Sequence, residues 1–355
     1  MKGPRNGSDT PEDYEMTLRL QIVQVGSNMP IMRLSLGSTM AFLLVFAMSG
    51  CGGGQKSSSP LPTVSPTRSV ATDPAYITRR VTTGSKPCGI LGAAGRIWVS
   101  NYGDGTLVSI DPATGTLTAP VEVGASPCGL AYGAGSIWVE NFGSANLTRV
   151  SATTGKVQAT IDVGRQPYDV TFADGAAWVT DYADGTVSRI DAQSQRRTII
   201  PVGLTPVGIA HTPGAVWVGL KSASQAVRVD TATSKVVGRV QVGQGSGWTA
   251  YDDRSVWVSN ATDGTVSRID PSTNKVVATI KVGSAPLDGD VIDGSVWVPD
   301  GGGDLYRIDP ATNSVRATVA SHSANPFVIT GYAGKVWAVD FMGTDVIQID
   351  PARVS

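Results

Sequence analysis

Val256-Trp257-Val258-Ser259-Asn260, then Ala261-Thr262-Asp263-Gly264, then Thr265-Val266-Ser267-Arg268-Ile269-Asp270-Pro271, then Ser272-Thr273-Asn274-Lys275-Val276-Val277-Ala278-Thr279-Ile280-Lys281-Val282-Gly283: this stretch decides the fold. Short β-branched runs alternate in it with Asn, Asp, Gly and Pro, a pattern of strands and tight turns. The stretch is also one of a series. Trp98, Trp138, Trp178, Trp217, Trp257, Trp297 and Trp337 follow one another at 40, 40, 39, 40, 40 and 40 residues. A period of about forty residues marks a repeat architecture in which each unit buries its apolar faces against its neighbours.

Around each Trp the same order recurs: a Pro slot eleven residues before, a Gly three before, Asn or Asp three after, an Asp-Gly turn, an Ile-Asp-Pro-x-Thr turn and a strand ending in Val-Gly. Four short strands per repeat follow. Asp104-Gly105, Asp184-Gly185 and Asp263-Gly264 are expected to form type I′ hairpins, with both central residues at positive φ. Gly95, Gly135, Gly175, Gly214, Gly294 and Gly334 punctuate the preceding hairpin, where Arg254 is the exception.

Trp257-Val-Ser-Asn260, Val266-Ser-Arg-Ile-Asp270 and Lys275-Val-Val-Ala-Thr-Ile-Lys-Val-Gly283 resemble the YVTN-type β-propeller repeat family over residues 75–355. The resemblance implies an all-β, seven-bladed β-propeller with four-stranded antiparallel blades. It is specific for architecture and silent on activity, because propellers host many functions. The last repeat stops at Ile349-Asp350-Pro351-Ala352 without an outermost strand, and Tyr76–Val81 has the character of one. The N-terminal strand is therefore expected to complete the last blade and close the ring. Pairing across the Asp-Gly turn puts Trp257, Arg268 and Asp270 on one blade face and Val256, Val258 and Ile269 on the other. Arg149, Arg189, Arg228, Arg268 and Arg307 are expected to stack diagonally on their blade's Trp as scaffold.

The chain has 355 residues, 42 of them Gly, and a formal net charge of −1. That balance offers no basic footprint for a phosphate backbone, so nucleic acid is excluded as the expected partner. Met40–Met48 is apolar but, at nine residues, too short to span a bilayer. With Arg33 before it and Ala47-Met48-Ser49-Gly50-Cys51 after it, residues 32–50 read as a lipoprotein signal peptide, and Cys51 resembles the lipidated residue of a bacterial lipobox. Residues 1–31 read as a misassigned or disordered extension, since Met29 or Met32 gives a normal basic start. Residues 51–72, rich in Gly, Ser, Pro and Thr, read as a tether, and 73–355 as the propeller. The expectation is a monomer tied to a bacterial membrane through Cys51, facing outside the cytoplasm.

In such a ring, function is sought where repeats differ. The two residues after the Pro slot vary most: Cys88-Gly89, Cys128-Gly129, Tyr168-Asp169, Val207-Gly208, Gly247-Trp248, Leu287-Asp288 and Phe327-Val328. Tyr168, Trp248 and Phe327 with Asp169, Asp288 and Asp290 form a candidate channel-rim site for a polar or cationic ligand. The competing reading has the aromatics filling space and the aspartates capping turns. Cys88 and Cys128 occupy equivalent places in adjacent repeats and either pair as a disulfide or stay as buried thiols. Asp288–Pro299 lacks the fifth and twelfth ligands of a calcium loop, so no metal and no cofactor is expected. Of the two histidines, His211 occupies a slot held elsewhere by Tyr132, Phe172 and Tyr251 and reads as a packed core residue. His322 lies in a loop where a functional role is open.

These readings favour a ligand-binding or scaffold module of the cell envelope, its partner an unidentified small molecule or envelope protein, over catalysis. The alternative is a magnesium-dependent lyase, since the repeat is similar to that of streptogramin lyases. Their His and Glu residues find no match here, and Glu140 and Glu122 are the only glutamates of the repeats. A second candidate surface, taken as a blade edge, is Gly219-Leu220-Lys221-Ser222.

Overall fold

A computed structural model describes residues 73–354, and they fold into 28 strands and one 3-10 turn, Pro351–Arg353. The signal peptide, Cys51 and the tether lie outside the described residues. The strands form seven four-stranded antiparallel sheets, each built on one Trp repeat. In the fifth, strands Ser246–Tyr251, Val256–Asn260, Thr265–Asp270 and Lys275–Lys281 run from innermost to outermost. The innermost strands touch in ring order, blade 1 meeting blade 7. The molecule is a seven-bladed β-propeller.

Each blade feeds two cores because its strands alternate. Trp257 packs outward from blade 5 against Val296, Val298 and Ile308 of blade 6. Val256, Val258 and Ile269 pack the other way, against Trp217 of blade 4. The seven repeat tryptophans are buried, Trp98 retaining 4 % exposure and the other six none. Arg268 lies directly opposite Trp257 in register, not diagonal to it, with its guanidinium 5.0 Å from the ring centroid. Arg149, Arg189, Arg228 and Arg307 stack equivalently. Three of these guanidiniums also donate into the next blade: Arg149 to Ala192 O at 2.8 Å, Arg228 to Pro271 O at 2.9 Å and Arg268 to Pro310 O at 2.5 Å. The stacked Arg is thus a tie between blades as well as a lid on the Trp.

The ring closes as its ends require. Strand Ile77–Thr82 pairs antiparallel with Asp345–Ile349 as the outermost strand of blade 7, matching Val81 with Val346 and Arg80 with Ile347. Arg80 is held by Asp73 at 2.6 Å and donates to His322 O at 3.2 Å.

One turn expectation changes. Gly105, Gly185 and Gly264 have positive φ, but Asp104, Asp184 and Asp263 do not. Asn101 pairs with Thr106, so four residues intervene, and Asn101 O accepts from Asp104 N at 3.2 Å and Gly105 N at 3.0 Å. That is a four-residue loop ending in a left-handed Gly, not a two-residue hairpin. The type I′ geometry holds between the first and second strands, where the glycines of that hairpin stand, as at Ala94-Gly95 (φ 50° and 80°) and Asp293-Gly294 (φ 46° and 70°). The Asn or Asp three residues after each Trp pins the incoming loop: Asp181 Oδ1 accepts from Gly164 N at 2.8 Å and Asp300 Oδ2 from Ala285 N at 2.8 Å. Blade 4 has Leu220 there, 1 % exposed in the core. Gly219-Leu220 therefore ends the second strand Ala215–Leu220 and Lys221-Ser222 opens the turn after it, so the stretch is not a blade edge.

Candidate functional site

The innermost strands begin at the Pro slot, and six of the seven shift register immediately after it, as between Pro167 and Val170 or Pro326 and Ile329. The two residues in this bulge are the variable pair. A bulge adds an unpaired residue and redirects side chains. The loop following each second strand is tied to the same end: the N–H of Tyr102, Tyr182, Lys221 and Phe341 donates to Lys86 O, Gln166 O, Thr205 O and Asn325 O at 2.9–3.1 Å. Variable residues and loop residues thus share one mouth of the channel.

Aromatic rings gather there. Tyr168 and Tyr182 lie 5.9 Å apart, Phe327 and Phe341 5.0 Å, and Phe341 and Tyr102 5.7 Å. The position four after the Trp, which supplies Tyr102, Tyr182 and Phe341, was legible in the repeat yet absent from the expected site. Lys221 occupies it in blade 4, and burial pushes its ammonium pKa down.

The inner ring is close-packed. A Cβ at Gly89 would overlap Cys128 O, and one at Gly208 would stand 2.6 Å from Trp248 Cα. Here Cys88 and Cys128 are joined as a disulfide with Cα atoms 4.9 Å apart, so the buried-thiol alternative gives way.

Asp169 is partly open to the channel. Its Oδ2 accepts from Ile209 N of blade 4 at 2.9 Å and its Oδ1 from Val170 N at 2.7 Å. Asp290 repeats the device: Oδ2 accepts from Gly331 N of blade 7 at 3.0 Å, and Oδ1 from Val291 N at 2.7 Å. The aspartates cap unpaired N–H groups of the following blade, where turn capping was the competing expectation. Burial raises both pKa values against these hydrogen bonds, Asp169 to about 7.

Asp288 has a different setting. Blade 6 keeps only Asp290–Ile292 as its innermost strand; Pro286 and Leu287 still meet the second strand, but Asp288-Gly289 interrupts the ladder. Asp288 pairs instead with blade 7, its N–H donating to Phe327 O at 3.3 Å and its carbonyl accepting from Ile329 N at 3.2 Å. Among the described residues no hydrogen bond to its carboxylate is present. Burial, then the like charges of Asp169 and Asp290, push its pKa well above the usual carboxylate range.

Glu140 was missed. It stands two residues after Trp138, in the slot held by Ser100 and Thr180 in blades 1 and 3. Those hydroxyls bridge blades: Ser100 Oγ accepts from Gly89 N at 2.9 Å and donates to Cys128 O at 2.6 Å. Thr180 Oγ1 accepts from Asp169 N at 3.0 Å and donates to Val207 O at 2.6 Å. Glu140 Oε1 accepts from Gly129 N at 2.8 Å, but its Oε2 has no partner although the residue has no exposure. Burial drives its pKa far up, with Asp169 adding to the effect. Gly129 makes the approach feasible: a Cβ there would stand 3.0 Å from Asp169 Oδ1 and 3.1 Å from Glu140 Cγ.

Three other residues fall elsewhere. Trp248 is 7 % exposed, packed with Ala250, Trp257 and Val296, its ring edge against the bare face of Gly289. It fills the space between blades 5 and 6 and does not face the rim. His211 is exposed at the far end of its strand, Nδ1 3.4 Å from Thr171 Oγ1, because that slot opens at the opposite mouth, where Tyr132 is 45 % exposed. It is not a packed core residue. His322 is exposed in the loop before Pro326–Tyr332. Among the described residues no group of three or more His, Cys, Asp or Glu side chains has metal-holding geometry.

No family model matches the chain, and no curated protein is significantly similar to it. Solved structures share its shape. Virginiamycin B lyase from Staphylococcus aureus aligns over 77 % of this chain and 98 % of its own, with a TM-score of 0.68 and 15 % identity. A streptogramin B lyase aligns over 75 % and 93 %, at 0.67 and 16 % identity. Hydrazine synthase from Kuenenia stuttgartiensis aligns over 77 % and 97 %, at 0.67 and 15 % identity. At such identities the likeness is one of fold.

Proposed function

We propose that the protein is a lipid-anchored, extracytoplasmic binding module that takes its ligand at the channel mouth formed by Tyr168, Asp169, Asp288 and Phe327. The observation that carries this reading is the placement of these side chains at one mouth of the ring, with carboxylates that no salt bridge neutralises among the described residues. Aromatic faces supply contact area, and carboxylates select polar or positive groups. The anchor rests on the apolar run and lipobox-like residues ending at Cys51. Acyl groups on Cys51 by mass spectrometry, with the mature protein in the membrane fraction, are the expected result. A soluble mature chain with unmodified Cys51 refutes the anchor.

The likeness in shape to streptogramin lyases supports a second reading, a magnesium-dependent lyase. His211 and His322 stand on different parts of the ring, and among the described residues neither hydrogen-bonds to a channel carboxylate. Turnover of a cyclic lactone with and without magnesium separates the two readings, and binding without turnover is the expected outcome.

A further inference from the structure

We infer that a cleft between blades 6 and 7, at the end of the blades opposite the channel mouth, binds the carboxylate of a small monoanionic organic acid through Arg307 and Arg316. This site is separate from the mouth and goes beyond the binding reading above. The cleft has a volume of about 390 Å³, the scale of a small-ligand pocket, and is bordered by Arg307, Arg316, Asp293, Pro351, Ala352 and Val354.

Comparison of the blades shows why two guanidiniums meet here. In blades 2, 4, 5 and 6 the outermost strand carries a one-residue bulge beside the stacked Arg, and the added residue is Gln158, Val237, Val277 and Arg316 in turn. A bulge residue is unpaired and its side chain is redirected. In blade 2 it turns toward the stacked Arg: Ser136 Oγ donates to Gln158 Oε1 at 2.9 Å and accepts from Arg149 Nε at 2.9 Å. Blade 6 keeps this frame, with Arg307 Nε donating to Ser295 Oγ at 3.0 Å and its guanidinium 5.4 Å from the Trp297 ring centroid. Of the four blades, only this one puts a cation in the bulge.

The facing wall differs as well. Arg149, Arg228 and Arg268 donate to a carbonyl of the next blade, but the corresponding residue of blade 7, Pro351, opens the turn Pro351–Arg353. Among the described residues Arg307 therefore donates only through Nε, and Arg316 has no hydrogen bond or ion pair. Arg189 also lacks the carbonyl bond, but blade 3 pairs without the bulge and sets no such residue beside it. Asp350, the acid of the turn, is taken by Lys335 at 2.9 Å and Arg353 at 3.2 Å. Asp293 is the one acid on the lining, so two guanidiniums against one carboxylate leave a single positive charge. Planar N–H forks without acceptors match a carboxylate, which accepts two parallel hydrogen bonds from each. The charge balance favours a monoanion over a phosphate dianion, and Pro351, Ala352 and Val354 offer aliphatic contact to a short apolar body.

The test is ligand-observed NMR titration of the purified full chain at neutral pH with sodium isovalerate, sodium phosphate and n-butylammonium chloride as separate probes. The expected result is saturable isovalerate binding, about tenfold tighter than that of either other probe. Arg316→Ala should weaken it about tenfold with an unchanged melting temperature, because that side chain holds nothing else among the described residues. Arg307→Lys, which keeps the charge and loses the fork, should weaken it as well. Asp293→Asn should tighten isovalerate and tighten phosphate by a larger factor, since the removed charge repels a dianion more strongly. Isovalerate affinity unaltered in Arg316→Ala, phosphate bound as tightly as isovalerate by the unmutated chain, or no saturable isovalerate binding each overturns the inference.

Discussion

The second and third strands of the blades and the entrances of the innermost strands are built on opposite terms. Along the former the seven repeats agree: Arg268 stacks on Trp257, its Nε donates to Ser255 Oγ at 2.8 Å, and Asn260 donates to Thr265 and Ser267, although buried Asn260 Oδ1, Arg228 Nε and Trp217 Nε1 have no partner among the described residues. At the entrances the repeats disagree, and carboxylates sit among like charges. A ring can hold such a mouth because its stability is spread over seven inter-blade cores, each supplied by two neighbours. Polar groups that cost stability and serve no packing purpose are the mark of a site.

The comparison breaks most severely at the seam. Deleting residues 75–84 removes the strand that carries Ile77 and Val81 into the blade 6–7 and blade 7–1 cores. At roughly 1.5–3 kcal/mol per buried side chain, with ladder hydrogen bonds in addition, the loss should be about 5 kcal/mol or more. Deletion of residues 52–70 should leave the melt unchanged, and equal melting temperatures for the two truncations would refute the closure. Next comes the scaffold itself: Trp257→Ala should cost about 3–5 kcal/mol by chemical denaturation, whereas Arg268→Ala should cost only about 0.5–2 kcal/mol. Separating Cys88 from Cys128 in a double Ser variant should cost about 2–4 kcal/mol, checked against the reduced native protein, which should melt at the same temperature.

The smallest effect is the sharpest. Asp169, Asp288, Asp290 and Glu140 have raised pKa values in the fold, so their contribution is fully present below the unfolded-state value near pH 4 and is lost as pH rises through the raised values, about 7 for Asp169. Asp111, Asp191, Asp230 and Asp270, whose carboxylates take hydrogen bonds from their own turns, have lowered values, and their contribution is lost only as pH falls below about 4. Thermal melts should therefore decline from pH 5 to pH 8. Asp288→Asn should recover on the order of 1 kcal/mol at pH 8 and little at pH 5. An Asp270→Asn variant should leave that slope untouched.

The sequence carries the scaffold almost whole, since spacing and alternation specify what seven repeats share. Trp257 with Arg268, the broken last repeat and the variable pair after the Pro slot were all readable. What escaped depends on contacts between blades. Glu140 reads as one of two glutamates in the repeats, and only the ring shows that the same slot carries bridging hydroxyls, Ser100 and Thr180, in the blades on either side. Trp248 looked like a rim residue because it follows the Pro slot, but Gly289 of the next blade leaves a space that its ring fills. His211 looked packed because its slot holds aromatics, and in this ring that slot opens at the far mouth. The pairing of Cys88 with Cys128 turned on how closely neighbouring innermost strands approach, a distance that no repeat spacing encodes.

The central claim is that the channel mouth holds carboxylates the fold itself does not neutralise. Carbon-13 NMR titration of the Asp and Glu side-chain carboxyls in the folded domain measures this directly. The expected spectrum has one aspartate titrating at about 7, lost in Asp169→Asn, with further carboxyls above the ordinary range that disappear in Asp288→Asn and Glu140→Gln. If all the carboxyls instead titrate below about pH 5, the mouth is an ordinary solvated surface, and the account of its function is wrong.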